Sequence, residues 1–228
     1  ITPKTKVLIM NSPGNPTGAV TPLSRLREIL ELAHRHNLWV ISDEVYDEIW
    51  FDTPPHSLQP LDTQERVVSV FSFSKTYAMT GWRVGYLTGA SEIVSHVLRA
   101  QEPTTSCVNS PAQRGAVAAL LGDQQCVADM RSAYASRARL VTKILDDHGV
   151  PYARPTGAFY TMVDISGARM SDLDFVSRMI TERRVAVVPG SAFGPESGNV
   201  VRVSLASSES DLQNGVTRLA SAVSDWSN

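Results

Sequence analysis

Short apolar runs alternate with a longer amphipathic stretch in the first part of the chain. The apolar runs occupy residues 6–10, 38–41, 66–71 and 84–87, and runs of this length between turn formers predict buried strands. Between the first two runs, apolar residues recur at helical spacing on one face: Leu23, Leu26, Ile29, Leu30 and Ala33. Thr21 as N-cap and Pro22 at the first helical position predict where this helix begins. Strand, helix and strand in this order favour βαβ units and a mostly parallel sheet.

The rest of the chain has a different pattern. Residues 92–149 are largely helical, with one long helix predicted over 123–148 and ended by Gly149 and Pro151. Three short strands then follow at 158–163, 185–188 and 200–205, with helices at 173–184 and 209–226. We therefore expect two domains, an α/β part over residues 1–138 and a small α+β domain over residues 139–228.

Composition excludes several classes of function. The chain has 228 residues, is 43% hydrophobic and carries a net charge of −2, so no basic surface argues for nucleic-acid binding. It has no run of about twenty apolar residues, so no membrane-spanning helix is expected. Cys107 and Cys126 fit no CxxC pattern, and His34 and His36 point away from each other on a helix. We predict no metal site and a reduced, cytoplasmic protein.

Polar residues of catalytic types stand at the ends of the predicted strands. Asn15, Asp43 and Lys75 each follow an apolar run, and Arg83 stands at the start of the fourth. Active residues of open α/β sheets collect at the carboxyl ends of the strands. Lys75 is one of only four lysines, and a lysine in a pocket can form a Schiff base. An ordinary surface lysine is the alternative reading of its spacing.

The other candidates also have a structural and a functional reading. Arg83 lies among glycine and apolar residues and needs an anion, either a phosphate or a carboxylate in a salt bridge. Asp43 is placed to meet a ligand or to cap the following turn, and Asn15 suits a strained turn. Arg202 interrupts a valine-rich run and shares a face with Ser204, which a solvated strand face explains equally well.

Taken together, the motifs resemble the class I and II aminotransferases of the pyridoxal-phosphate (PLP) fold type I, in the aspartate and aromatic branch. They occur in the order of that family over nearly the whole chain, at residues 15–18 (NPTG), 42–46 (SDEVY), 72–75 (SFSK), 79–86 (MTGWRVGY), 155–160 (PTGAFY), 189–194 (PGSAFG) and 202–204 (RVS). The resemblance implies that residues 1–138 belong to a large PLP-binding domain, a mostly parallel sheet with helices on both faces. It also implies a homodimeric transferase of amino acid metabolism and biosynthesis.

The resemblance gives each candidate a role toward PLP. Lys75 would hold the cofactor as a Schiff base and later move the substrate proton, and Asp43 would keep the pyridine nitrogen protonated. Tyr46 and Asn15 would hydrogen-bond the phenolic oxygen of the cofactor.

The remaining assignments concern the two anionic groups. Arg83, with Ser72 and Ser74, would bind the cofactor phosphate. Arg202 and Asn15 would bind the substrate, an amino acid or a 2-oxo acid. Arg202 would hold the substrate carboxylate through two parallel hydrogen bonds from its planar guanidinium.

The chain departs from the family at its front. Family members begin with a longer N-terminal portion that carries a phosphate loop, the aromatic residue stacked on the PLP ring and a tyrosine that reaches across the dimer. We therefore expect this chain to be a fragment that is inactive in isolation.

Two alternative functions remain open. The same fold and cofactor serve carbon–sulfur lyases and aminocyclopropane-carboxylate synthases. A binding role is also open, because some transcription regulators use a domain of this type to sense PLP. The sequence does not identify the amino donor.

Overall fold

The computed structural model describes residues 1–227 and divides into two compact units. Unit 1 comprises Ile1–Pro13 and Val20–Met130, and unit 2 comprises Gly14–Ala19 and Arg131–Asn228. The division falls inside the long helix α5 (Gln125–Asp147), the same helix that contains the domain boundary predicted between residues 138 and 139. The short loop over residues 14–19 belongs to unit 2 although it follows the first strand of unit 1.

Unit 1 is built on a four-stranded mixed sheet. Its strands stand in sequence order: β1 (Val7–Asn11), β2 (Trp39–Asp43), β3 (Val67–Ser72) and β4 (Gly85–Thr88). The first three are parallel, with Asn11 opposite Asp43 and Asp43 opposite Val70. The predicted α/β class with a mostly parallel sheet is thus observed.

The last strand runs against the other three. β4 pairs antiparallel with β3, so that Ser72 stands opposite Gly85. Consequently the start of β4 lies at the same edge as the end of β3. Arg83, just before β4, therefore lies at the edge that carries Asp43 and Lys75. A parallel fourth strand would have placed it at the opposite edge, and strand direction cannot be read from an apolar run.

Helix α1 (Leu23–Arg35) closes one part of the core of unit 1. Leu26, Leu30 and Ala33 are buried against Leu38, Val40 and Val67 of the sheet region. The expected cap at Thr21 is wrong: the helix begins one residue later, after Pro22, and has no side-chain cap. The Thr21 backbone N–H instead donates to Ser12 Oγ at 2.9 Å.

Three further helices of unit 1 follow β3 and β4. They are the single turn α2 (Phe73–Thr76), α3 (Ser91–Thr105) and α4 (Ser110–Leu121). Phe73 of α2 is buried in a second cluster with Met79, Val84, Ala112 and Ala116. This cluster anchors the turn that carries Lys75 to α4.

Unit 2 pairs a small antiparallel sheet with two helices. Its strands are β5 (Tyr160–Asp164), β6 (Val188–Pro189) and β7 (Val200–Ser204), in the order β5-β7-β6. The helices α6 (Asp172–Arg178) and α7 (Glu209–Asp225) bury Phe175, Leu212, Val216 and Leu219. This matches the α+β character expected for the C-terminal domain.

Two predicted elements of unit 2 need correction. The strand expected over residues 185–188 contains only Val188 and Pro189, because only these two residues pair with β7. The helix expected over residues 173–184 is α-helical only to Arg178 and continues as a wider π-helical turn over Met179–Arg183. Arg184 then adopts a left-handed conformation (φ 56°) that ends the helix.

Candidate active site

Asp43 is the last residue of β2 and a half-buried carboxylate. Its Oδ1 accepts only a long hydrogen bond from the Val45 backbone N–H, at 3.4 Å. Burial raises the pKa of Asp43 above its ordinary value, the Val45 bond opposes this, and the neighbouring Glu44 adds to it. Within residues 1–227, no lysine, arginine or histidine forms an ion pair with Asp43. The carboxylate is therefore well suited to a cationic partner.

The turn after β2 is held by a buried acid. Glu44, 5% exposed, accepts hydrogen bonds from Ser69 Oγ at 2.7 Å, from Ser57 Oγ at 3.1 Å and from the Leu58 backbone N–H at 3.4 Å. The Glu44 backbone N–H also donates to Val70 O at 2.9 Å. Because a buried carboxylate needs such partners, Glu44 fixes the turn between its neighbours Asp43 and Tyr46.

Lys75 and Tyr46 are brought together within unit 1. Lys75 lies in the single turn α2 directly after β3, and Tyr46 is buried in the turn after β2. The Lys75 Nζ stands 6.0 Å from the centroid of the Tyr46 ring. The lysine therefore lies at the sheet edge, beside an aromatic ring.

Ser72, Ser74 and Arg83 surround the same turn. Ser72 Oγ accepts the Ser74 backbone N–H at 3.1 Å, and Ser74 is itself buried. Thr80 Oγ1 donates to Ser74 O at 3.1 Å, and Arg83 Nη1 donates to Thr80 O at 3.0 Å. Arg83 adopts a left-handed conformation (φ 52°) and is exposed, so its remaining guanidinium donors are open to an anion.

Arg202 of unit 2 is held between two aromatic rings. Its guanidinium carbon lies 4.3 Å from the centroid of the Tyr160 ring and 4.9 Å from that of Phe193. Its Nη1 donates to Asn15 Oδ1 at 2.8 Å. The Nε is buried and, among the described residues, has no hydrogen-bond partner. An unpaired buried donor is costly, so this edge of the guanidinium calls for an acceptor from a ligand.

Asn15 is positioned by the glycine three residues later. Gly18 O accepts the backbone N–H groups of Thr156 and Gly157, both at 2.8 Å, while the Gly18 N–H donates to Gly14 O at 2.9 Å. Gly18 has φ 69°, and a Cβ there would lie 2.2 Å from Tyr160 O. Only glycine fits this close approach, which joins the Asn15 loop to the segment that carries Tyr160.

The sequence prediction missed the surroundings of Arg202. The alternation along β7 is as expected, with Val201 and Val203 buried and Arg202 on the other face, but that face is not simply solvated. Tyr160 and Phe193 flank the arginine, and neither had been given a role. The aromatic residues in the quoted segments 155–160 and 189–194 were the available signal.

Residues 1–227 contain no group of three or more histidine, cysteine, aspartate or glutamate side chains that could hold a metal ion. Over the same residues, no helix is long and apolar enough to cross a membrane.

Comparison with known proteins gives one consistent family. The family model described as aminotransferase class I and II matches residues 1–219. The chain is 40% identical to aromatic-amino-acid aminotransferase 2 of Thermococcus litoralis and 40% identical to aspartate aminotransferase of Pyrococcus abyssi, each over 223 residues. The crystal structure of an aromatic aminotransferase from Pyrococcus horikoshii superposes with a TM-score of 0.95 at 39% identity, covering 99% of this chain and 61% of that one.

The comparisons also define how much of the relatives this chain represents. In both sequence matches the alignment covers 96% of this chain but only 57% of the relative. The structural agreement confirms the predicted fold class.

Proposed function

Because this chain belongs to the class I and II aminotransferases, we propose that the protein that carries it is a PLP-dependent aminotransferase. It moves an amino group between an L-amino acid and a 2-oxo acid, and it acts as a homodimer. The observation that carries this proposal is the set of Asp43, Tyr46 and Lys75 at one edge of the unit 1 sheet. The names of the relatives, aspartate and aromatic-amino-acid aminotransferases, favour this activity over a lyase, a synthase or a regulator.

The residues of unit 1 fit the chemistry of PLP. The cofactor offers an aldehyde, a phosphate and a pyridine nitrogen, and unit 1 offers an amine, an exposed guanidinium with serine hydroxyls and a carboxylate without an ion-pair partner. When bound, PLP supplies an electron-withdrawing ring that makes the Cα–H of an attached amino acid acidic.

Asp43 holds a proton on the pyridine nitrogen. A half-buried carboxylate whose pKa burial has raised gains most from a directly bonded cation. This pairing keeps the ring nitrogen positively charged, and because the site is partly removed from water, the charge acts at a low effective dielectric.

Lys75 has two tasks. Its Nζ would hold the cofactor through the aldehyde group, and as a free amine it would move the proton that leaves the substrate Cα. Ser72, Ser74 and Arg83 hold the phosphate, and Tyr46 holds the phenolic oxygen.

Arg202 orients the substrate in this proposal. Its Nε–H donates to the α-carboxylate, while the Tyr160 and Phe193 rings hold the plane of the guanidinium and Asn15 Oδ1 accepts a hydrogen bond from Nη1. A fixed carboxylate limits rotation about the substrate Cα, which directs the Cα–H bond for proton removal.

The experiment is to map the covalent attachment. The purified protein is incubated with PLP, reduced with borohydride and digested, and the pyridoxyl label is located by mass spectrometry. We expect the label on Lys75, with none in a Lys75→Ala variant and an unchanged label in Lys143→Ala, since Lys143 is an exposed partner of Asp147. A label on Lys4, Lys6 or Lys143 in the unsubstituted protein contradicts the assignment. A panel of amino donors with 2-oxoglutarate then distinguishes transfer from elimination.

A further inference from the structure

The turn that carries Lys75 has little stability of its own. Helix α2 comprises only four residues, Phe73–Thr76, and a single helical turn is unfavourable without outside contacts. The chain continues through a left-handed Ala78 (φ 53°), whose N–H reaches Lys75 O at 3.4 Å. The position of the lysine amine therefore depends on what holds this turn from outside.

One such contact reaches across from the turn after β2. Thr76, the residue next to Lys75, is buried, and its Oγ1 donates to Asp47 Oδ1 at 3.2 Å. The same carboxylate oxygen accepts the Glu48 backbone N–H at 2.9 Å. Asp47 in turn directly follows Tyr46, whose ring lies beside the Lys75 amine.

We propose that Asp47 is a positioning residue for Lys75, because its carboxylate ties the Thr76 hydroxyl, and with it the lysine turn, to the turn that carries Tyr46. This inference deepens the proposed function and rests on it for its catalytic meaning. Asp47 does not itself contact the lysine amine in this role. It acts through Thr76.

The surroundings of Asp47 make this tie responsive to pH. Asp47 and Thr76 line a cavity of about 110 Å³ together with Glu48, Tyr77 and Tyr86. Burial raises the pKa of Asp47 to about 6; the Thr76 bond opposes this, and Glu48 and Glu44 add to it. The cavity gives protons a route to the carboxylate, so Asp47 can titrate without unfolding.

The other titratable groups that face Asp47 come from its own turn, from the end of α2 and from β4. Glu44 and Glu48 lie on its own turn, and both repel its charge. Tyr77, which directly follows α2, and Tyr86 of β4 have pKa values raised first by burial and then by neighbouring acids that include Asp47, so both remain neutral phenols near pH 6. Protonation of Asp47 makes the carboxyl a weaker acceptor, and the tie to Thr76 loosens as the pH falls through about 6.

Hydrogen exchange of the cofactor-free protein tests this directly. Peptides covering residues 73–80 are followed by mass spectrometry between pH 5 and pH 8, after correction for intrinsic exchange. We expect the protection of the Tyr77 and Ala78 amides to fall about fivefold as the pH drops through about 6, the scale of one net hydrogen bond. Thr76→Val should show the low protection at every pH, and Thr76→Ser should restore the unsubstituted behaviour.

Two further variants separate positioning from general stability. Asp47→Asn keeps an acceptor oxygen but cannot titrate, so its protection should be independent of pH. The control is Asp52→Asn at an exposed position, which should behave as the unsubstituted protein. A pH dependence that persists in Asp47→Asn, or a Thr76→Val variant with full protection, overturns the proposal.

Activity provides the second readout. If the protein transfers amino groups, Asp47→Asn should remove the acidic limb near pH 6 from kcat, while KM for the amino acid changes less than twofold. A limb that remains in place contradicts the proposal. If the whole protein that carries this chain shows the exchange pattern but no aminotransfer, the proposed function is contradicted and the Asp47–Thr76 tie stands.

Discussion

Replacing Arg202 by lysine tests the proposed carboxylate site most sharply. Lysine keeps the positive charge but loses the planar fork, so it cannot pair with a carboxylate through two parallel hydrogen bonds. It also loses the Nη1 bond to Asn15 and the flat surface that Tyr160 and Phe193 cover. The substitution therefore removes the planar hydrogen-bonding group and its stacking while it retains the positive charge.

The expected loss follows from these contacts. A hydrogen bond to a charged group contributes about 1.5–3 kcal/mol, and stacking of a desolvated guanidinium on an aromatic ring contributes about 1–2 kcal/mol. Because lysine recovers part of both, we expect a net loss of about 2–4 kcal/mol in transition-state stabilisation, or roughly 30- to 700-fold in kcat/KM.

The assay compares substrate and cofactor binding in the whole protein that carries this chain. Steady-state kcat/KM for the preferred amino donor measures the effect on the proposed carboxylate site. The absorbance of bound cofactor during a PLP titration measures the cofactor affinity, which depends on the residues of unit 1. Arg178→Lys is the matched control, because Arg178 is also stacked on an aromatic ring, Trp226, and pairs with Glu182. Equal losses of cofactor and substrate affinity in Arg202→Lys would refute the reasoning and assign the arginine to the phosphate.

Three further predictions concern stability and completeness. Gly18→Ala should destabilise the protein by at least about 2 kcal/mol in denaturant unfolding, because of φ 69° and a backbone oxygen 2.2 Å from the new Cβ; Gly198→Ala, with no atom within 4 Å, should be nearly neutral. Burial raises the pKa of Asp62, but three backbone bonds and His34 outweigh it, so the net pKa lies below 3.8. Its stabilisation is complete above pH 3.8 and is lost as the pH falls through the lowered pKa; His34→Ala should therefore move acid unfolding, followed by circular dichroism, to higher pH. The isolated 228-residue chain, which spans 57% of its relatives, should not catalyse aminotransfer when supplied with PLP, and normal turnover in a coupled assay would contradict this.

The strands of unit 1 could be predicted because their signal is local. Four apolar runs correspond to β1–β4 with bounds shifted by one or two residues. The direction of β4 could not be predicted in this way, since an apolar run reads the same in a parallel and an antiparallel pair. The helix start was predicted one residue too early: Thr21 has the chemistry of a cap, but Pro22 stands at the N-cap position and no side chain caps the helix.

The motif resemblance predicted the candidate residues, but the contacts that hold them could not be predicted from the sequence. The motif resemblance named Asn15 and Arg202, which are 187 residues apart in sequence and hydrogen-bonded in the structure. No periodicity connects positions at that separation. Tyr160 and Phe193 likewise could not be predicted as partners of Arg202, because an aromatic residue in a strand or turn is more often explained by core packing.

The Asn15 loop, residues 14–19, belongs to unit 2 although it stands between two segments of unit 1 in the chain. The loop follows β1 of unit 1 closely in the chain, yet its Gly18 O accepts the backbone N–H groups of Thr156 and Gly157, which belong to unit 2. A change in this loop should therefore alter the orientation of Arg202 and leave the β1–β2 pairing intact. Changes in the Asp47–Thr76 contact should alter the turn that carries Lys75 and leave the orientation of Arg202 unchanged, since Asp47 and Thr76 both lie in unit 1. We therefore expect different signatures from the two kinds of variant: weaker binding of a substrate carboxylate for the Asn15 loop, and lower protection of the Lys75 turn for the Asp47–Thr76 contact.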